Sequence, residues 1–101
     1  MAKNTYTDID LQKAQQLSKE PGAVLVDVRE TWEFEEFNEG GINIPLAEIR
    51  EKRDWLVAYQ TIIVICTNGV RSKVAAMDYC RVPEWAAKQI FHVKGGIIEA
   101  E

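Results

Sequence analysis

The chain has 101 residues, a length that fits one domain with a single hydrophobic core. Hydrophobic residues make up 47% of it and charged residues 28%, a composition that excludes disordered and fibrous proteins and indicates a soluble globular one. The net charge is −4 and no segment concentrates lysine and arginine, so nucleic acid and anionic membranes are not expected partners. We therefore predict a single domain over residues 1–101.

The beginning of the chain has no apolar segment of signal-peptide length, and no apolar run approaches the ~20 residues that a membrane span requires. These absences predict a cytoplasmic protein. Two cysteines are too few for a disulfide framework, and with one histidine they cannot form a Cys/His zinc site. We expect neither metal nor cofactor, because no nucleotide or flavin motif is present either. Any cysteine chemistry must then come from a free thiol.

The first elements in chain order are a helix and a strand. Asp8 or Asp10 can cap a short helix, which Pro21 and the glycine after it end. The segment AVLVDV at residues 23–28 is nearly continuous in apolar residues and rich in β-branched ones. That pattern is typical of a parallel strand buried on both faces.

The middle of the chain is less regular. Residues 31–37 fit a helical turn or two, and residues 42–44 fit a short extended piece. From Pro45 onward apolar residues recur on one helical face, which predicts a further helix. The charged residues 50–54 then form its solvated side. The apolar positions are Leu46, Ile49 and Leu56.

The second half continues the alternation of strand and helix. TIIVIC at residues 61–66 is the most strand-like segment, and residues 72–81 follow as a helix with Ser72 at its N-cap. IFHV at residues 90–93 is a last short strand, closed off by two glycines. Strands and helices alternating at this spacing indicate an α/β domain.

Cys66 stands where a predicted strand ends and a helix begins shortly afterwards. Ligands of open α/β sheets bind beyond the carboxyl ends of the strands. A helix N-terminus favours the thiolate form of a cysteine, and Gly69 allows successive backbone N–H groups to converge on it as an anion-binding nest. The group stabilised in such a nest would be a persulfide anion. Arg71 can bind an anionic donor or pair with an acidic side chain that braces the loop, and both roles stay open.

The alternative is that Cys66 is a small apolar residue ending a buried strand, as free cysteines often are. The combination of strand, cysteine, glycine-containing loop, arginine and capped helix favours catalysis, because core packing does not require it. Cys80 lies about 12 Å further along the predicted helix, at ~1.5 Å per residue, and is expected in the core. His92, a lone histidine in an apolar strand, is assigned no role. The three tryptophans are expected in the core, as aromatic residues of small domains usually are: Trp32, Trp55 and Trp85.

Four segments together resemble the rhodanese family, and they occur in the family's order. They are VLVDVRE at residues 24–30, GGINIPL at 40–46, CTNGVRS at 66–72 and VKGG at 93–96. The resemblance implies a rhodanese-like α/β fold, with a small, mostly parallel central sheet flanked by helices on both faces.

The resemblance also implies sulfur transfer. Cys66 would accept a sulfane sulfur from a small donor, with thiosulfate as the default, and pass it as a persulfide to cyanide, a thiol or a protein acceptor. Asp27 and Arg29 match the family's Asp-x-Arg strand end and would support the pocket wall. The cradle around the sulfur would be formed by the rest of the loop: Thr67, Asn68, Gly69, Val70, Arg71 and Ser72.

Three other functions are considered. The first is a binding or carrier module that takes sulfur only from a specific protein partner. The second is a phosphatase or arsenate reductase, which the C-x4-R loop disfavours because related enzymes acting on tetrahedral oxyanions use C-x5-R. The third is a redox sensor in which Cys66 forms a sulfenic acid, and the distance of Cys80 makes it a poor resolving thiol. The oligomeric state is left open.

Overall fold

The most apolar segment of the chain forms the central strand of a five-stranded, all-parallel sheet in the computed structural model, which describes residues 4–98. Residues 1–3 and 99–101 of the predicted domain lie outside that range. The strands are ordered β1-β5-β4-β2-β3. Their bounds are β1 Tyr6–Ile9, β2 Ala23–Asp27, β3 Ile42–Asn43, β4 Thr61–Ile65 and β5 Gln89–Val93.

Helices cover both faces of the sheet because successive side chains of a strand point to opposite sides. On one face Ile63 and Ile65 of β4 pack with Ala14 of α1 (Leu11–Leu17). On the other, Ile62 and Val64 pack with the buried side of α3 (Val70–Cys80). The predicted α/β fold with helices on both faces is confirmed. Within residues 4–98 no helix is both long and apolar enough to cross a membrane.

Strand β1 was not predicted, since the sequence indicated only a helix cap in this region. It lies at the sheet edge and pairs in parallel with β5, with Asp8 directly beside His92. Its two central residues are exposed and the outer two half-buried, so the segment carries no apolar pattern by which a strand could be recognised. Of the two candidate caps, Asp10 is the one used: the Lys13 backbone N–H donates to its carboxylate at 2.8 Å.

The helix predicted after Pro45 is wrong in type. Two short 3-10 segments, Leu46–Glu48 and Arg53–Leu56, take its place. Ile49 and Leu56 are nevertheless buried, as the pattern indicated. The charged run between them is only partly a solvated face, because Arg50 and Arg53 both contact the carboxylate of Asp78 on α3, at 2.9 Å each.

The expectation that all three tryptophans lie in the core holds only for Trp85, which packs against Tyr79. Trp32 is 63% exposed on α2 (Thr31–Glu36), a helix that buries none of its residues. Trp55 is 52% exposed, with the Lys52 ammonium over its ring at 4.6 Å. The prediction failed for these two because aromatic content alone does not show which short helices turn a face to the sheet.

Candidate active site

Cys66 is the first residue after β4, and its sulfur is surrounded by groups of the loop that follows. The backbone N–H of Gly69 donates to Sγ at 3.1 Å and that of Ser72 at 3.3 Å, while the Ser72 hydroxyl lies 3.4 Å away. The residue is fully buried. Donors converging on one sulfur stabilise it when it is negatively charged. The loop is thus an anion nest centred on Cys66.

The helix behind the loop begins earlier than predicted. Gly69 is the N-cap of α3, and Ser72 lies buried inside the first turn with its hydroxyl toward the sulfur. The cap adopts φ +92°, and a Cβ there would lie 2.0 Å from the Lys94 carbonyl oxygen. Only glycine combines this backbone conformation with that close approach. The turn of the loop therefore depends on both the dihedral and the neighbouring strand end.

Of the two roles open for Arg71, the structure shows the bracing contact. Its guanidinium forms a bidentate ion pair with Glu33 of α2, at 2.7 and 3.1 Å, and also donates to Thr67 Oγ1 at 3.3 Å. The hydrogen bonds from Arg71 lower the pKa of Glu33 to about 2, and the carboxylate in turn raises the pKa of Arg71. Sequence reasoning missed Glu33. Its only local signal is the capping box in which it accepts from the backbone N–H of Glu30.

The exposed side of the loop is formed by Asn68 and Val70. The Asn68 side chain accepts from the Val70 backbone N–H at 3.1 Å, which closes a tight turn. Both residues are exposed, in contrast to Cys66 beneath them. These positions stay predictions as substrate-binding residues.

Asp27 and Arg29 form a buried ion pair at the end of β2. Arg29 Nη2 donates to the Asp27 carboxylate at 2.8 Å and to the Phe37 carbonyl at 2.6 Å. The Asn43 side chain donates to the carbonyls of both residues, at 3.0 and 2.9 Å. These contacts join β2 to β3 and to the end of α2. They are consistent with the predicted scaffold role, which stays a prediction.

The segment after β5 holds the loop in place through backbone hydrogen bonds. The backbone N–H of Ile97 donates to the Cys66 carbonyl, and that of Ile98 to the Thr67 carbonyl, both at 3.0 Å. A Cβ on Gly96, where φ is +64°, would lie 2.4 Å from the Thr67 oxygen. The VKGG segment is therefore part of the site's backbone framework.

His92 was assigned no role from sequence, yet it contacts the loop. The residue is 3% exposed, with its ring atom Nε2 3.0 Å from the Gly69 carbonyl oxygen and Nδ1 2.9 Å from the Asp8 carboxylate. The only hint in the sequence is that a polar residue interrupts an apolar strand. Cys80 belongs to the hydrophobic core on the α3 side of the sheet, as expected, and burial raises the pKa of its thiol.

Comparison with known proteins places this geometry among related chains. A sequence profile described as the rhodanese-like domain matches residues 10–99. The tRNA uridine(34) hydroxylase of Mesorhizobium japonicum is 29% identical over 90 residues, which cover 82% of this chain and 28% of that protein. The chain spans about a quarter of the length of the first curated relatives that it matches.

Two solved structures illustrate the structural likeness. A rhodanese-related protein from Thermoplasma volcanium superposes with a TM-score of 0.72 at 30% identity, over 94% of this chain and 93% of that one. A single-domain sulfurtransferase of Saccharomyces cerevisiae has a TM-score of 0.66 at 22% identity, over 98% of this chain and 91% of that one. The second likeness bears on the fold alone.

Proposed function

The chain belongs to the rhodanese-like domain family, and from that premise we propose that it is a sulfurtransferase in which Cys66 carries a sulfane sulfur as a persulfide. The observation that carries the proposal is the nest around Sγ, in which two backbone N–H groups donate to the sulfur and a hydroxyl faces it. A persulfide needs a nucleophilic thiolate to form and an anion site to hold it, and one loop can supply both.

The reaction has two displacement steps. In the first, the Cys66 thiolate attacks the sulfane sulfur of a donor such as thiosulfate. A new S–S bond forms, the donor's own S–S bond breaks, and sulfite leaves with the electron pair. In the second, a thiolate or cyanide attacks the terminal sulfur, and the electron pair of the broken S–S bond returns to Cys66. Charge and atoms balance without an external oxidant or reductant.

The surrounding residues hold the nest in place during both steps. Gly69 and Ser72 direct their donors at Sγ, and Arg71 keeps the first turn of α3 against α2 through Glu33. Because the Arg71 charge is already paired with Glu33, the backbone N–H groups provide most of the stabilisation of the negative persulfide. Four residues separate Cys66 from Arg71, a loop shorter than the C-x5-R loop of related enzymes that act on tetrahedral oxyanions.

A second candidate function is a sulfur carrier that works only with a protein partner. Two observations favour it: Cys66 is fully buried, and the matched segment spans only about a quarter of the length of the first curated relatives. A carrier of this kind would form the persulfide but turn over small donors slowly. Its sulfur source and acceptor would be cysteine residues of other proteins or domains.

The experiment is an intact-mass measurement after incubation with thiosulfate and removal of the excess. Wild type should gain ~32 Da, the mass of one sulfur, on a thiolate nucleophile. Cys66→Ala should gain nothing, whereas Cys80→Ala, the matched control for the second cysteine, should behave like wild type. A gain followed by slow release to cyanide would favour the carrier. No gain with thiosulfate or with glutathione persulfide would refute sulfur transfer from small donors and leave only a carrier that takes sulfur from its protein partner, or an inactive binding module. A gain in Cys66→Ala would show that the nucleophile is misassigned.

A further inference from the structure

The geometry points to His92 as a positioning residue that holds the Gly69 turn in the conformation from which its N–H reaches the Cys66 sulfur. This inference rests on the proposed function, because the positioned donor serves the sulfur anion. Gly69 donates to Sγ through its N–H at 3.1 Å, and its carbonyl oxygen lies 3.0 Å from His92 Nε2. The same residue is therefore held at both of its backbone polar groups.

The imidazole itself is fixed by the edge strand. Asp8 and His92 are direct neighbours in the parallel pairing of β1 with β5, so the Asp8 carboxylate reaches Nδ1 at 2.9 Å. The Tyr6 ring packs edge-on against the imidazole, with ring centroids 5.6 Å apart. Because His92 is only 3% exposed, these contacts leave the ring little freedom to rotate.

The chemistry of the partners decides which way the ring hydrogen bonds. A carbonyl oxygen can only accept, so Nε2 must carry a proton to bond Gly69. An ionised Asp8 carboxylate likewise accepts from Nδ1. The imidazolium can donate to both Gly69 and Asp8. The neutral ring protonated on Nε2 can donate to Gly69 only, which is the hydrogen bond that holds the loop. A neutral ring protonated on Nδ1 alone would place two lone pairs against each other at Gly69.

Gly69 needs such a brace because glycine has more backbone freedom than any other residue. The Lys94 carbonyl already blocks one side of its Cα, since a Cβ there would lie 2.0 Å from that oxygen. The end of β5 therefore restrains Gly69 in two ways. The Lys94 carbonyl lies close to its Cα, and the His92 ring hydrogen bonds its carbonyl oxygen. A donor held in place before reaction stabilises developing charge better than one that must be ordered during it.

The test compares His92→Leu with His92→Gln in a Cys80→Ala background, where Cys66 is the only thiol. The Gln amide nitrogen can occupy the place of Nε2 and donate to Gly69, whereas Leu cannot. We expect Leu to slow both iodoacetamide alkylation of Cys66 and single-turnover persulfide formation ~10-fold, less than the loss of a whole oxyanion donor. The His92→Gln variant should keep both rates within about threefold of those of the Cys80→Ala parent. This should hold even if its melting temperature falls as far as that of His92→Leu.

Equal slowing by Leu and Gln, or unchanged rates in Leu, would overturn the inference. If His92→Leu does not fold, the rates of His92→Gln and the NMR spectrum of the His92 ring test the inference instead. The chain has one histidine, so two-bond ¹H–¹⁵N spectra report His92 without assignment. They should show a protonated Nε2, and a neutral ring protonated on Nδ1 alone would refute the hydrogen bond. If wild type accepts no sulfur, the proposed function fails while the alkylation series still decides the position of His92.

Discussion

Single residues of the site differ in how far their importance could be read from sequence. Cys66 and Gly69 could be proposed as site residues, because a cysteine ending an apolar strand before a glycine-containing turn is a local pattern. Glu33 and His92 could not, since each acts on the loop from a distant part of the chain, 38 and 23 residues away respectively. Nothing in the immediate surroundings of either residue indicates its partner.

Gly69→Ala should reduce both stability and sulfur loading. Alanine would be forced to φ +92° and its Cβ would lie 2.0 Å from the Lys94 oxygen, so the loop must shift away from Sγ. Gly40→Ala is the matched control, because φ there is +95° but, among residues 4–98, no atom beyond those of the chain neighbours lies within 4 Å of the added carbon. Urea unfolding should show a loss of about 1 kcal/mol for Gly40→Ala and about 2 kcal/mol more for Gly69→Ala. Equal losses with full sulfur loading would contradict the steric argument.

At the scale of elements, α2 is joined to the site by charge and not by apolar packing. It buries none of its residues, yet its Glu33 forms the bidentate ion pair with Arg71 at the first turn of α3. The capping box of Glu30 and Glu33 fixes the helix start, so the carboxylate is already oriented toward the loop. The pair therefore couples the position of α2 to the nest around Cys66.

Glu33→Gln should remove the ion pair with Arg71, whose contribution to the free energy of unfolding depends on pH. The pKa of Glu33 falls from an ordinary 4.5 to about 2 in the folded chain, mainly through the hydrogen bonds from Arg71. A lowered carboxyl pKa stabilises the folded state above pH 4.5, and that contribution is lost as the pH falls toward 2. Because both side chains are partly exposed, solvent screening reduces the difference at pH 7 to about 1–2 kcal/mol.

Chemical unfolding of both chains at a series of pH values measures this difference. The gap between wild type and Glu33→Gln should be constant from neutral pH to about 5 and close steadily below it. Glu36→Gln, on the exposed side of the same helix, should differ from wild type by less than about 0.5 kcal/mol throughout. A gap that does not change with pH would show that packing and not charge joins α2 to α3.

For the whole molecule, the sheet order determines where stability is concentrated. β4 has a partner on both sides, β2 and β5, and residues Ile62, Ile63, Val64 and Ile65 are fully buried. β1 and β3 are edge strands of four and two residues. The site is built on the most enclosed strand, which gives Cys66 a rigid base, while its brace at Asp8 comes from an edge.

Amide hydrogen exchange should reflect this gradient. The amides of β4 should exchange only through global unfolding, with protection near the full unfolding free energy, whereas those of β1 should exchange at least tenfold faster through local opening. Exchange followed by NMR in deuterated buffer measures both sets in one sample. Equal protection of β1 and β4 would indicate that the edge strand opens only with the core.

What the sequence determined by itself lies in short stretches of chain. Nearly continuous apolar runs predicted the buried strands β2 and β4, and a short, mainly apolar segment predicted β5. The loop after β4 indicated the candidate site, because its glycine supplies the backbone freedom that a tight turn requires. The alternation of strands and helices predicted an α/β domain, and the four family-like segments implied a rhodanese-like fold by resemblance. The element types around residues 45–56 were not determined, since mixed apolar and charged positions there fit several short helices equally well.

What only the tertiary structure decided are the partners of the charged and polar groups. Asp8 and His92 are 84 residues apart in the chain and adjacent in the sheet, because β1 and β5 pair as neighbours. Arg71 finds Glu33 because α2 follows the strand beside β4. Hydrogen bonds and ion pairs act over a few ångströms and require defined geometry. Which groups form them therefore depends on the order of the strands, which brings residues distant in the chain together.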